Sequence, residues 1–155
     1  MATETERIAK SLSKTFNKGP WYGPSIMDIL TQVKAEEVDL RIGRSHSIQE
    51  LLLHMISWRT FATRRLQGDN DFQVSDDQNF PPASSTSWSK AIERLQKSQE
   101  ELVAAALAFP ENRLGELVPS NTGKYTYYTL LHGIEQHDIY HIGQIQLILK
   151  SAAGS

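Results

Sequence analysis

Residues 126–150 read TYYTLLHGIEQHDIYHIGQIQLILK. The stretch holds no proline, and its apolar residues recur at helical spacing, which predicts a helix from about Thr126 to Lys150, about 37 Å long at 1.5 Å per residue. Each helical residue advances roughly 100°, so His137 and His141 stand one turn apart and point the same way. Leu130, Ile134, Ile145 and Ile148 fall within roughly 40° of that pair by the same arithmetic. Two imidazoles are therefore expected to project into a protein interior from the middle of an apolar stripe. His132 sits on nearly the opposite side.

Three other stretches carry the same period. The first runs from about Thr3 to Lys18, with Ile8, Leu12 and Phe16 inward and Arg7, Lys10, Lys14 and Lys18 forming a solvated face. The second opens at Ser47, whose pairing with Glu50 three residues later is a capping box. It continues through Leu51, Leu52, Met55, Trp58 and Leu66 to stop near Gly68. The third runs from about Ser87 to Phe109, with Trp88, Ile92, Leu95, Leu102 and Leu107 as expected core contacts, and ends at Pro110. A short helix is expected from Ser25 to about Val33, after the breakers of residues 19–24. The polar stretch from Gly68 to Ser87 is long for a loop, which suits a lid or a pocket rim. It starts Asp69-Asn70-Asp71 like a calcium loop, but Val74 and Phe80 stand where the glycine and the glutamate are needed, so calcium is excluded there. With no strand-like alternation of comparable length, residues 1–155 are expected to form one domain: an all-α, four-helix bundle with an additional short helix.

The chain has 155 residues and a formal net charge of −2, with 39% hydrophobic and 22% charged residues. That is a globular balance, with no electrostatic reason to expect nucleic acid as a partner. The polar N-terminus lacks a signal-peptide apolar core, and no apolar run approaches the roughly 18 residues of a membrane span. No membrane partner and a cytoplasmic location are the expectations. The chain contains no cysteine, which removes disulfides, thiolate zinc sites, iron–sulfur clusters and a cysteine nucleophile. Any metal must be held by nitrogen and oxygen.

Two inward histidines at i and i+4 suit one divalent ion, because their ring nitrogens converge just above the helix surface. The alternative, core histidines satisfied by carbonyls or carboxylates, stays open. A third ligand should come from a neighbouring helix. His54 is the natural candidate, on the flank of the second long helix's apolar side, although an exposed histidine is equally compatible with that position. His46 belongs with the helix entrance. Gln144, one turn beyond His141, is suited to a bound water or ligand, or to a helix–helix hydrogen bond. Glu50 could orient His54, in competition with its capping role. Gly143 is expected to let a helix approach, and Tyr140 to pack with its hydroxyl satisfied.

These residues resemble a known family. His137-Asp138-Ile139-Tyr140-His141-Ile142-Gly143-Gln144 is similar to the H-D-x-Y-H-x-G-Q signature of the DinB-like superfamily, which includes the YfiT-type proteins. His46-Ser47-Ile48-Gln49-Glu50-Leu51 with His54 resembles that family's landmark on the second helix, and Trp21-Tyr22-Gly23-Pro24-Ser25 its entry to the short helix. The resemblance implies a DinB-type bundle with a three-histidine site, His54, His137 and His141, for zinc, nickel or a similar divalent ion. It also implies a homodimer, and for some relatives a transferase or isomerase reaction on a low-molecular-weight thiol cosubstrate.

Three neutral imidazoles would leave an ion its full charge and at least one open position, as catalytic sites require. The sequence is thus compatible with a metal-dependent enzyme acting on a small-molecule substrate, either thiol-dependent transferase-like or hydrolase-like, with its catalytic residues unassigned. It is also compatible with a non-catalytic metal-binding protein or a helical interaction protein.

Overall fold

The computed structural model describes residues 1–121 and 123–154. Its α-helices in chain order are α1 (Glu4–Asn17), α2 (Ile26–Leu30), α3 (Ile48–Leu66), α4 (Asp76–Asn79), α5 (Trp88–Ala108) and α6 (Tyr127–Ala153). No strand occurs among the described residues; Leu117 and Thr126 make one isolated bridge. Each long helix begins at a hydroxyl side chain, because its first N–H groups have no intrahelical acceptor. Thr3, Ser47, Ser87 and Thr126 accept from Glu6, Glu50, Lys90 and Thr129. The Ser47–Glu50 box is reciprocal, Glu50 taking the Ser47 N–H at 2.7 Å. α3 stops where Gly68 adopts φ +86°, a conformation side chains with a Cβ avoid.

The four long helices form a bundle in which α3 packs on α5 and α6, and α1 packs on α5. Its apolar core has two halves. One joins α2 to Leu52, Met55, Leu95, Ile142 and Ile145. The other joins Ile8 and Leu12 to Ala62, Leu102, Ala106, Leu131 and Ile134. Between them lies a buried polar layer: Arg59 on α3, Ser98 and Gln99 on α5, and Asp138 on α6, with Arg59 and Asp138 each 1% exposed. No helix among the described residues is long and apolar enough to cross a membrane.

Some expectations shift. The short helix ends at Leu30 rather than Val33, and tight turns carry the chain on. Leu107 is 51% exposed, because the buried stripe of α5 runs through Ala91, Leu95, Leu102, Ala105 and Ala106 instead. The buried face of α6 is Tyr127, Leu131, Ile134, Asp138, His141, Ile142, Ile145 and Ile148. That face is rotated by roughly 60° from the stripe centred on the histidine pair. Leu130 and His137 therefore sit at its flank, half-buried.

Candidate metal centre

The cluster forms where the first half of α3 faces the middle of α6. His54 Nε2 lies 3.0 Å from His137 Nε2, and His141 Nε2 lies 3.1 Å from that same atom. One ring nitrogen from each histidine falls within 4.8 Å of the others, a group that could hold a metal ion. His54 and His141 are buried, and His137 is half-buried.

Hydrogen bonds on the outer nitrogens set the tautomers. His54 Nδ1 is 2.6 Å from the Asn79 carbonyl oxygen, which can only accept, so the proton sits on Nδ1. His141 Nδ1 donates to Gln144 Oε1 at 2.7 Å. Both rings therefore present a bare Nε2 lone pair to His137. An Nε2–H of His137 can serve only one of them, and its buried Nδ1 has no partner. The other is left with a buried lone pair that no N–H reaches, a cost that a cation among the three removes.

The spacing fits an ion. Bonds of 2.0–2.1 Å at tetrahedral angles hold two nitrogens about 3.3 Å apart, a few tenths of an ångström wider than the contacts seen. The protonation fits as well. Burial pushes all three imidazoles below the ordinary histidine range, and for His137 the charges of His141 and His54 add to burial, bringing it to about 3. A trio kept neutral at pH 7 has its ligand electrons free.

The long polar stretch after α3 builds one wall, as a pocket rim. Asn79 bonds His54 through its carbonyl and accepts from Trp58 Nε1 at 2.9 Å through its side chain. Phe80 is sandwiched between two imidazoles, 3.6 Å from His46 and 4.0 Å from His54, with interplanar angles of 8° and 3°. Sequence reasoning missed Asn79 and Phe80, because neither carries a metal-ligand signature and their contact with α3 is long-range.

The surrounding residues also sort themselves. Glu50 caps α3 and lies 3.5 Å from both His46 Nδ1 and Arg41 Nη2, so it does not orient His54. Gln144 bonds within its own helix, where its Oε1 orients His141. Gly143 is solvent-facing, and a Cβ there would meet no atom within 4 Å, so no helix approaches it. Tyr140 is 66% exposed rather than packed. His132 lies apart from the cluster, its ring 4.4 Å from that of Tyr128.

Beneath the trio, Arg59 Nη1 donates to Asp138 Oδ2, Nη2 to Gln99 Oε1, and Nε to Ser98 Oγ at 3.1 Å. Gln99 Nε2 reaches the Leu12 carbonyl at 3.3 Å, so the layer ties all four long helices. Burial pushes the Asp138 carboxyl up to about 6, against the pull of Arg59. A signal for this pair does exist in the sequence: both charges fall on core stripes, Arg59 between Met55 and Ala62, Asp138 between Ile134 and Ile142.

Fold and site together define a helical-bundle protein with a histidine trio able to hold a divalent ion. Residues 25–145 match the DinB superfamily, and the chain belongs to it. Proteins of this superfamily generally bind metal, and the matched segment contains all three histidines. Among curated proteins, no significant sequence match to the chain is found.

Proposed function

We propose that His54, His137 and His141 hold one divalent ion, zinc or nickel, through their Nε2 atoms, and that the protein is an enzyme acting on a small molecule. The reading is carried by the convergence of three Nε2 atoms on one point while two of the outer nitrogens are held by acceptors. When bound, an ion with three neutral ligands keeps its charge and lowers the pKa of a water or thiol toward neutrality. The chain's own part is to fix the rings. The Asn79 carbonyl and the Gln144 amide keep two imidazoles in the ligating tautomer. Phe80 covers one face of His54 against water. With no cysteine in the chain, the sulfur of a thiol-dependent transfer comes from a cosubstrate. A hydrolytic reaction needs only water, and the same residues serve it.

Metal content separates this reading from a bundle whose histidines are only core residues. Purified protein dialysed against zinc or nickel is expected to retain one equivalent and to melt at a higher temperature. His137→Ala should lose that equivalent while keeping its helical circular dichroism. An H137A variant that still binds one equivalent tightly overturns the ligand set. A screen of small thiols with electrophiles, and of small esters and amides, should show turnover in the loaded wild type and none in H137A. A loaded protein inert across both screens would leave a non-catalytic metal protein.

A further inference from the structure

A cavity of about 380 Å³ opens beside His141, between the loop before α3, Phe80 and the outer side of α6. Its walls are mostly apolar: Ile42, Leu51, Phe80, Leu147 and Ile148 contribute. Three large side chains stand exposed around it, Ile42 at 42%, Leu147 at 61% and Tyr140 at 66%. An apolar hollow of this size next to converging polar groups is the form a small-molecule site takes.

Among the polar residues of its lining, Gln144 offers a donor. Gln144 spends its amide oxygen on His141 Nδ1, which leaves its NH2 as the group offered to a ligand. Tyr140 is also part of the lining. Among the described residues, no carboxylate lines the cavity. Glu50, 3.5 Å from the lining residue His46, is committed to the Ser47 N–H at 2.7 Å and paired with Arg41 at 3.5 Å. Arg41 and the exposed Arg44 are chain neighbours of the lining residues Ile42 and Ser45, with Arg41 held by the Ser45 carbonyl at 3.4 Å and by Glu50 at 3.5 Å. A lining without a carboxylate and with an amide N–H to offer disfavours a cation and favours an anion.

We propose that this cavity binds a small apolar anion, its aromatic or aliphatic body between Phe80, Leu147 and Ile148 and its acidic head toward Gln144 and Tyr140. The proposal names the substrate class of the histidine site and rests on that reading for what happens to the head once it lies beside the trio. Binding itself is a property of the cavity and is measured separately.

The probes are 4-butylbenzoate and its cationic counterpart 4-butylbenzylamine, titrated calorimetrically into wild-type protein, both metal-free and zinc-loaded. The benzoate should bind about tenfold or more tighter than the amine. Leu147→Glu sets a carboxylate in the wall at an exposed position that the fold does not need. It should reverse the preference, so that the amine binds tighter, while circular dichroism and zinc stoichiometry stay unchanged. Tyr140→Phe should weaken the benzoate about threefold. Equal binding of the two probes by wild type overturns the proposal, and so does an unchanged preference in L147E. Zinc stoichiometry well below one with the charge preference intact and reversible would refute the metal reading while supporting the pocket.

Discussion

Replacing Asp138 with Leu takes away the anion paired with the Arg59 guanidinium, which is 1% exposed and otherwise bonded to the neutral Gln99 and Ser98. Arginine cannot lose its proton in a protein, so the charge stays buried and uncompensated. Breaking a buried pair from one side costs about 3–5 kcal/mol. Asp138→Leu belongs at the upper end, and at roughly 2–4 °C per kcal/mol for a chain of this size it lowers Tm by roughly 8–20 °C. Arg59→Met is milder, because the stranded Asp138 carboxyl, already raised to about 6 by burial, can take up a proton. A cost of about 3 kcal/mol is expected there. The double variant Arg59→Met/Asp138→Leu removes both charges and should return to within about 1–2 kcal/mol of wild type. Urea unfolding of the metal-free proteins at pH 8, followed by far-ultraviolet circular dichroism, measures all four corners of the cycle. An Asp138→Leu cost below 1 kcal/mol, or a double variant as unstable as the sum of the singles, would refute the polar layer as a coupled unit.

The metal-free protein should lose stability as pH falls below about 6.5, the ordinary histidine value. The folded trio has lowered pKa values and stays neutral while the unfolded chain takes up protons, so the slope is positive with pH. Asp138 opposes this, since the fold holds its proton below about 6. One proton set against three leaves the direction unchanged, and urea midpoints that rise from pH 7 to pH 5 would contradict it. Gln144→Leu removes the acceptor of His141 Nδ1 and should weaken zinc binding about 10–100-fold in a chelator competition. In the core, Leu102→Ala should cost about 2–5 kcal/mol, whereas Leu107→Gln at its exposed site should fall within about 0.5 kcal/mol of wild type by the same urea assay.

The elements that were legible in the sequence are those governed by local rules. The Ser47–Glu50 box, the stop at Gly68 and the break at Pro110 depend on neighbours within a turn, and the structure has them where those rules put them. The i,i+4 histidine pair and His54 were also visible as residue types at known spacing, and the fold brings the three rings together. What escaped depends on packing between distant segments. Leu107 looked like core because leucine is apolar, yet α5 meets α1 and α3 through alanines at positions 91, 105 and 106, and leucine 107 is left outside. Asn79 touches His54 across 25 positions of chain, through a backbone carbonyl that no side-chain pattern encodes. The rotation of α6 escaped because the inward position of Asp138 is tenable only with Arg59 across the bundle, a partner that no local rule supplies.

That rotation links the buried pair to the site. His137 and Asp138 are consecutive, about 100° apart around α6, so the angle that aims the carboxylate at Arg59 also sets where the imidazole points. A side-chain tip some 5–6 Å from the helix axis moves about 1 Å for each 10° of rotation. The Nε2 contacts at 3.0 and 3.1 Å tolerate little of that before a common centre is lost. Apolar packing alone resists small rotations weakly, since leucine and isoleucine side chains repack at little cost. A bonded, charge-assisted pair does not, because turning α6 in either direction strands two buried charges. Metal affinity therefore reports on the pair. In the double variant, stability recovers while the constraint on α6 is gone, so zinc should bind more weakly than in wild type even where the urea midpoint matches. Equal zinc affinity at equal stability would mean that apolar packing sets the angle by itself.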